Sequence, residues 1–138
     1  MSDLSISHAA TPLVLILEDE EPIAIALSLI IEDAGYAAVY TTDARHALAL
    51  VREHSPALIL TDLMMPRMNG GQFVTALREQ ASREGIPMPP VVLMTATDLR
   101  YATEIGADAV LGKPFDLKTV EALLTRFLPQ ASVSGNLS

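Results

Sequence analysis

The 138-residue sequence predicts an α/β fold in which helices cover both faces of a parallel sheet. Short apolar runs alternate with segments of helical period, and a strand followed by a helix is the repeating unit of such a sheet. Half of the residues are hydrophobic but only 4% are aromatic, so the chain can bury a sizeable core that is mainly aliphatic. Residues 12–129 are expected to form one domain between two flexible tails, residues 1–11 and 130–138.

The first part of the chain predicts a strand, a helix and a second strand. Leu13–Leu17 is a continuous apolar run, as in a strand that is buried on both faces. Residues 20–34 have one apolar face and carry Pro22 in the first turn, where a missing N–H is tolerated. Gly35 is expected to end this helix in a left-handed conformation, and residues 36–40 are expected to form the second strand.

The middle of the chain repeats this pattern. Asp43 is expected to cap a second helix, and Pro56 separates that helix from a third strand at residues 57–61. A third helix is predicted at residues 71–83, where the apolar residues recur at helical spacing.

The last part predicts a fourth strand at residues 91–94, a short fourth helix at residues 98–105 and a brief fifth strand at residues 109–111. Asp116 is expected to cap the last helix. The predicted apolar face of this last helix consists of Leu117, Val120, Leu124, Phe127 and Leu128.

The composition argues against several classes of protein. Because the chain has no cysteine, it can form neither a disulfide framework nor a thiolate metal site. The net charge of −8 and the lack of a basic run argue against direct binding to nucleic acid. No apolar stretch is long enough to cross a membrane and the first residues do not read as a signal peptide, so we expect no membrane insertion and a cytoplasmic location.

Charged residues follow three of the predicted strands. Glu18 and Asp19 follow the first strand, Asp62 the third and Lys113 the fifth. Parallel strands would bring these groups together at the carboxyl edge of the sheet, where open α/β sheets bind ligands. Two carboxylates about 4 Å apart repel by about 4 kcal/mol at an effective dielectric near 20, and a hard divalent cation such as Mg²⁺ would remove that conflict. A carboxylate beside a cation and a lysine can accept a phosphoryl group.

Each of these signals is weak when it is taken alone. An acidic pair such as Glu18 and Asp19 is also typical of a helix N-terminus. An aspartate such as Asp62 often lies in a turn, and a lysine such as Lys113 often lies on a solvated surface. Thr95, at the end of the fourth strand, could donate its hydroxyl to a phosphate oxygen, but Thr97 is a rival for that role. The backbone carbonyl of Met64 could bind the cation, whereas its thioether is a poor Mg²⁺ ligand.

Four stretches carry these residues: 14–20, 62–70, 95–96 and 113–115. Together they resemble the receiver domain of two-component response regulators, and the resemblance covers residues 12–129. It implies a flavodoxin-like fold of five strand–helix units, a three-layer sandwich whose parallel sheet has the strand order 2-1-3-4-5.

The resemblance also implies a role for each site residue. Asp62 would accept a phosphoryl group from a phosphohistidine on a sensor histidine kinase or a histidine phosphotransfer protein. Thr95 and Lys113 would hold the phosphoryl oxygens, and the Lys113–Pro114 bond would be cis. The Mg²⁺ ligands would be Glu18, Asp19, Asp62 and the backbone carbonyl of Met64.

Two features depart from the family pattern. Val110 stands three positions before the lysine, where the family usually has an aromatic residue or histidine that swings inward on activation. Valine is stiff and has no ring to swing, so the position could mark a functional difference. An equally good interpretation is that Val110 simply packs well in a strand. The stretch from Thr95 to Gly106 is about one helical turn shorter than in a typical receiver, so the fourth helix is expected to be short or distorted.

The function expected from the sequence is that of a phosphoacceptor response regulator rather than an enzyme with separate substrate turnover. It would signal to an unknown output protein by contact or by onward phosphotransfer, and no second domain is expected after Leu128. One alternative is a receiver-like binding module that works without phosphorylation, which would be expected to lack Asp19, Asp62 or Lys113. Another is a phosphatase of the haloacid dehalogenase type, which needs an aspartate where Met64 stands.

Overall fold

The computed structural model describes residues 11–65, 67–96, 100 and 104–129. A single sheet contains five parallel strands in the order β2-β1-β3-β4-β5, which confirms the order implied by the resemblance. The strands are β1 (Leu13–Leu17), β2 (Ala37–Thr41), β3 (Leu58–Asp62), β4 (Val91–Thr95) and β5 (Ala109–Gly112).

Four helices are described with full bounds. They are α1 (Glu21–Asp33), α2 (Ala44–His54), α3 (Gly70–Glu84) and the C-terminal helix (Leu117–Phe127). The helix predicted at residues 98–105 lies mostly outside the described residues, although Arg100, Glu104 and Ile105 are helical. No helix in the described part of the chain is both long and apolar enough to cross a membrane.

Side-chain caps begin three of these helices. Asp43 accepts a hydrogen bond from the backbone of Arg45, and Asp116 accepts one from the backbone of Thr119, as predicted. The cap of α3 was not predicted: Asn69 and Gln72 exchange hydrogen bonds in a capping box. This capping box explains why α3 begins at residue 70, one residue earlier than the apolar spacing indicates.

The core lies in layers on the two faces of the sheet. On one face, α1 and the C-terminal helix cover alternate strand residues, including Val14, Ile16, Leu58 and Leu60. On the other face, α2 and α3 cover Leu15, Leu17 and Ile59. Because helices cover both faces, β1 and β3 are buried along almost their whole length, as their continuous apolar sequences predict.

The predicted apolar face of the C-terminal helix is wrong at Leu117. Val120 and Leu124 are buried and Phe127 packs against the core, but Leu117 is 52% exposed. Leu117 is the first residue of the helix, immediately after the cap Asp116. This turn follows the end of β5 at Gly112, so it lies near the carboxyl edge of the sheet.

A polar contact joins α2 to α3. Gln80 is 4% exposed, and its amide donates to the backbone carbonyl of Leu48 at 3.0 Å. Its carbonyl accepts a 3.0 Å hydrogen bond from Arg52, which also pairs with Glu84 at 2.8 Å. Both the amide nitrogen and the carbonyl oxygen of this buried side chain therefore have a hydrogen-bond partner, as a polar group in a core requires.

Candidate functional site

The parallel register brings the predicted site residues to one edge of the sheet. Leu17 pairs with Thr61, Asp62 with Met94, and Thr95 with Gly112. The residues that end or directly follow β1, β3, β4 and β5 therefore lie side by side at the carboxyl edge. The site residues placed there are Glu18, Asp19, Asp62, Met64, Thr95 and Lys113.

The ammonium group of Lys113 lies between two buried carboxylates. Its Nζ donates to Oε1 of Glu18 at 2.8 Å and lies 3.3 Å from Oδ1 of Asp62. Glu18 is fully buried, whereas 6% of Asp62 is exposed. The structure thus confirms that residues from β1, β3 and β5 meet at one point.

Backbone hydrogen bonds hold these side chains in place. The amide of Glu18 donates to the carbonyl of Thr41 on β2, and its Oε2 accepts from the amide of Glu20 at 3.2 Å. The amide of Lys113 donates to the carbonyl of Thr95 at 2.8 Å. The Lys113–Pro114 bond is cis, as the resemblance implies.

An acidic cluster lies next to this ion pair. Carboxylate oxygens of Glu18, Asp19 and Glu20 all lie within 4.8 Å of one another, with Asp19 and Glu20 exposed. Glu20 was not predicted to belong to the site, although the run of four consecutive acidic residues, Glu18 to Glu21, was a visible signal. Hard oxygen donors in this arrangement are the kind that Mg²⁺ prefers.

The electrostatics of the site raise the pKa of both Asp62 and Lys113. Burial, followed by the charge of Glu18, raises the pKa of Asp62 from 3.8 to about 6, even though Lys113 acts in the opposite direction. Burial by itself would lower the pKa of Lys113. The hydrogen bond to Glu18 and the charge of Asp62 outweigh burial, so the pKa of Lys113 is raised. A divalent cation would relieve the repulsion between the carboxylates.

A close backbone approach supports the loop that follows Asp62. The amide of Met64 donates to Oδ1 of Asp62 at 3.4 Å, and the amide of Gly70 donates to the carbonyl of Leu63 at 2.8 Å. A Cβ atom at Gly70 would lie 2.9 Å from the carbonyl oxygen of Asp62 and 2.9 Å from Cδ2 of Leu93. This steric role of Gly70 was not predicted from the sequence, because it depends on a contact across the sheet.

Thr95 and Met64 lie where the sequence predicts them. Thr95 is 4% exposed at the end of β4. The side chain of Met64 is directed to solvent, since 70% of the residue is exposed. The hydroxyl of Thr95 as a phosphoryl ligand and the carbonyl of Met64 as a metal ligand stay predictions.

Val110 packs beside the site. It contacts a small apolar cluster in which Leu63 and Leu93 are buried and Ile105 and Ala107 are partly buried. Leu63 directly follows Asp62, so the valine packs against the cluster that contains this neighbour of Asp62. The packing interpretation of Val110 therefore has a structural basis.

The sequence profile of the response regulator receiver domain matches residues 14–125. Response regulator Rre1 of Synechocystis is 34% identical over 133 residues, which is 92% of this chain and 56% of that protein. The phosphate regulon transcriptional regulatory protein PhoB of Escherichia coli is 33% identical over 126 residues, 86% of this chain and 54% of that protein. The chain thus spans about half the length of the curated relatives it matches.

Solved structures give the same result for the fold. The chemotaxis protein CheY4 of Vibrio cholerae superposes with a TM-score of 0.77 at 32% identity, and the match covers 86% of this chain and 100% of that one. The receiver domain of the Francisella response regulator 1452 superposes with a TM-score of 0.73 at 26% identity, covering 85% of this chain and 96% of that one.

Proposed function

Because the chain belongs to the response regulator receiver domain family, whose members act as phosphoacceptors in two-component signalling, we propose that Asp62 is the acceptor of this chain. The observation that supports this most is the placement of Asp62 at the end of β3, almost buried, with Lys113 Nζ 3.3 Å from Oδ1. A carboxylate in this position can attack a phosphorus atom that enters from the carboxyl edge.

The proposed donor is a phosphohistidine on a sensor histidine kinase or a histidine phosphotransfer protein. A carboxylate oxygen of Asp62 forms the new P–O bond while the P–N bond to the donor imidazole breaks. The imidazole leaves with the bonding electron pair and takes up a proton. The product is an acyl phosphate on Asp62, and the signal then passes to another protein by contact or by onward transfer.

The residues of this chain would stabilise that transfer by position and charge. Lys113 already lies beside Asp62, and its ammonium group would shift its interaction from Oδ1 to a phosphoryl oxygen. Thr95, buried at the end of the neighbouring strand, would donate its hydroxyl to another phosphoryl oxygen. Glu18 keeps Lys113 aimed at the site through the 2.8 Å hydrogen bond.

The acidic residues also fit a divalent cation. We propose that Asp19, Asp62 and the carbonyl of Met64 bind Mg²⁺ directly and that Glu18 assists. When bound, the cation neutralises negative charge on the transferring phosphoryl group. The raised pKa of Asp62 is consistent with this assignment, because burial and the charge of Glu18 together outweigh the opposite effect of Lys113.

The proposal is tested by intact mass after incubation with phosphoramidate, a small donor that has a P–N bond, with and without Mg²⁺. We expect the parent chain to gain the mass of one phosphoryl group in the presence of Mg²⁺, and Asp62→Asn to gain none. Asp43→Asn is the matched control, since Asp43 is an exposed helix cap at the same edge of the sheet. Equal labelling of parent and Asp62→Asn would contradict the assignment of Asp62, and no labelling of a folded parent would favour a binding module that works without phosphorylation.

A further inference from the structure

A depression of about 710 Å³ opens at the carboxyl edge, beside the acidic site and on the side of α2. We call it the arginine depression, and the lining residues that matter here are Asp19, Asp43, Arg45, Met65, Arg67 and Met68. Its volume is within the range of about 300–1,000 Å³ that is typical of small-molecule sites. Of the proposed metal and phosphoryl ligands in the described residues, only Asp19 reaches it.

Two guanidinium groups line the depression, those of Arg45 and Arg67. Arg45 and Arg67 are exposed, and neither guanidinium makes an ion pair or a hydrogen bond within the part of the chain that the structure describes. By contrast, Arg52 pairs with Glu84 at 2.8 Å. Asp19 and Asp43 line the same depression, so its lining is formally neutral, but the two guanidinium groups have no ion-pair partner among the described residues and are available to an anion.

The position of Arg45 strengthens this contrast. It is the second residue of α2, and the first turn of this helix has no acidic residue. The positive end of the helix dipole makes a cation unfavourable there. The nearest acidic side chain in the sequence, Asp43, uses Oδ1 to accept the backbone amide of Arg45 at 2.9 Å. An anion in the depression would therefore be attracted by the guanidinium group and by the helix terminus together.

The remaining walls supply an apolar surface and two carboxylates, those of Asp19 and Asp43. Met65 and Met68 are partly buried and pack against the core cluster under α2 and α3. Thioether side chains adapt to apolar groups of varied shape. The carboxylate of Asp19 belongs to the acidic cluster, within 4.8 Å of those of Glu18 and Glu20, so it marks the boundary with the neighbouring site.

We infer that the arginine depression binds a small organic anion, with a carboxylate or phosphate head on Arg45 and Arg67 and a short apolar part on Met65 and Met68. Planar guanidinium groups bind both oxyanions through paired hydrogen bonds, which is the shared chemistry of the two head groups. This site is separate from the phosphoacceptor role, because none of its contacts requires Asp62 to be phosphorylated.

The inference is tested by titrating the full chain with n-butyl phosphate, butanoate and inorganic phosphate in a buffer without divalent cations. The methyl signals of Met65 and Met68 in NMR spectra report binding at the depression. We expect saturable shifts at both methyl groups, and n-butyl phosphate should bind more tightly than inorganic phosphate. Comparison of n-butyl phosphate with butanoate identifies the preferred head group.

Three variants locate the bound anion. Arg45→Gln and Arg67→Gln should each weaken binding by about tenfold, the effect of losing one charge-assisted contact. Arg83→Gln, which removes an exposed arginine at the end of α3 outside the depression, should leave binding unchanged.

Three results would overturn the inference. The first is the absence of saturable binding with all three probes. The second is that Arg83→Gln weakens binding as much as Arg45→Gln and Arg67→Gln do. The third is that Lys113→Gln abolishes binding while the two depression variants leave it unchanged, a result that would place the anion at Asp62. Labelling of Asp62 by phosphoramidate is a separate readout, so failure here leaves the proposed phosphotransfer standing.

Discussion

The ammonium group of Lys113 donates a 2.8 Å hydrogen bond to Glu18, a carboxylate with no exposed surface. These residues lie on opposite sides of Asp62 in the sheet, because β1 is the neighbour of β3 on one side and β5 lies on the other side, beyond β4. The pair therefore spans the site and neutralises a charge that would otherwise be buried without compensation.

Removing Lys113 should destabilise the fold. Lys113→Met leaves Glu18 buried without a cation, and we expect the free energy of unfolding to fall by about 3 kcal/mol. Urea denaturation at neutral pH measures this loss. The double variant with Glu18→Gln should recover much of it, whereas Glu84→Gln, which breaks the more exposed pair with Arg52, should cost less than about 1 kcal/mol. A loss in Lys113→Met no larger than in Glu84→Gln would contradict this account.

Asp62→Asn should stabilise the protein when no metal is bound. The pKa of Asp62 is raised from 3.8 to about 6 in the folded state, so the folded protein holds a proton that the unfolded chain has already lost. Stability therefore falls as the pH rises from about 4 to about 6, and the penalty is constant above that range. After allowance for solvent screening, we expect the asparagine to add about 1–2 kcal/mol at about pH 7.5 and little at about pH 4.

Denaturation of parent and Asp62→Asn at these two pH values, with a chelator present, measures the difference. A gain of equal size at both pH values would show that the effect does not come from the charge of Asp62. Adding Mg²⁺ should reduce the gain, because a bound cation stabilises the parent by compensating that same charge.

Gly70→Ala should disturb the acceptor loop. The new methyl group would lie 2.9 Å from the carbonyl oxygen of Asp62 and 3.0 Å from Cα of Leu63, neither of which can move without shifting β3. We expect a loss of about 1–3 kcal/mol in stability and a weaker affinity for Mg²⁺ measured by calorimetry. Gly112→Ala is the matched control, since a Cβ atom there meets nothing within 4 Å. If the folded Gly70→Ala variant bound Mg²⁺ with unchanged affinity, Gly70 would have no influence on the metal site.

Two single variants should distinguish the direct metal ligand from its acidic neighbour. Asp19→Asn should weaken Mg²⁺ binding by about tenfold or more, because a charged oxygen ligand is lost. Glu20→Gln should have a smaller effect, although its carboxylate lies within the same 4.8 Å cluster. Calorimetric titration measures both. A larger loss in Glu20→Gln than in Asp19→Asn would reassign the direct ligand to the residue that the sequence analysis passed over.

The convergence of the site was predictable because each charged residue ends a separate apolar run. Glu18, Asp62 and Lys113 follow strands of similar length, and parallel pairing brings such positions to one edge whatever the details of packing. The caps at Asp43 and Asp116 were predictable for a similar reason, since a cap depends only on the backbone within a few residues.

Features that depend on distant contacts were not predictable in this way. Helical spacing places Leu117 on the apolar face, but it cannot show that the core leaves this first residue of the helix half exposed. It also cannot show that Gly70 packs against Leu93 on another strand. Burial of Glu18 beside exposed Asp19 depends likewise on which elements surround each side chain.

The contacts of Gln80 have a consequence for how the molecule opens. An amide that holds both the carbonyl of Leu48 and the guanidinium of Arg52 ties α2 and α3 together through directional bonds, which fail together once the helices separate. We therefore expect amide hydrogen exchange in α2 and α3 to report a single cooperative opening event. Since α3 begins at Gly70, against the carbonyl of Asp62, that event would also release the backbone beneath the acceptor.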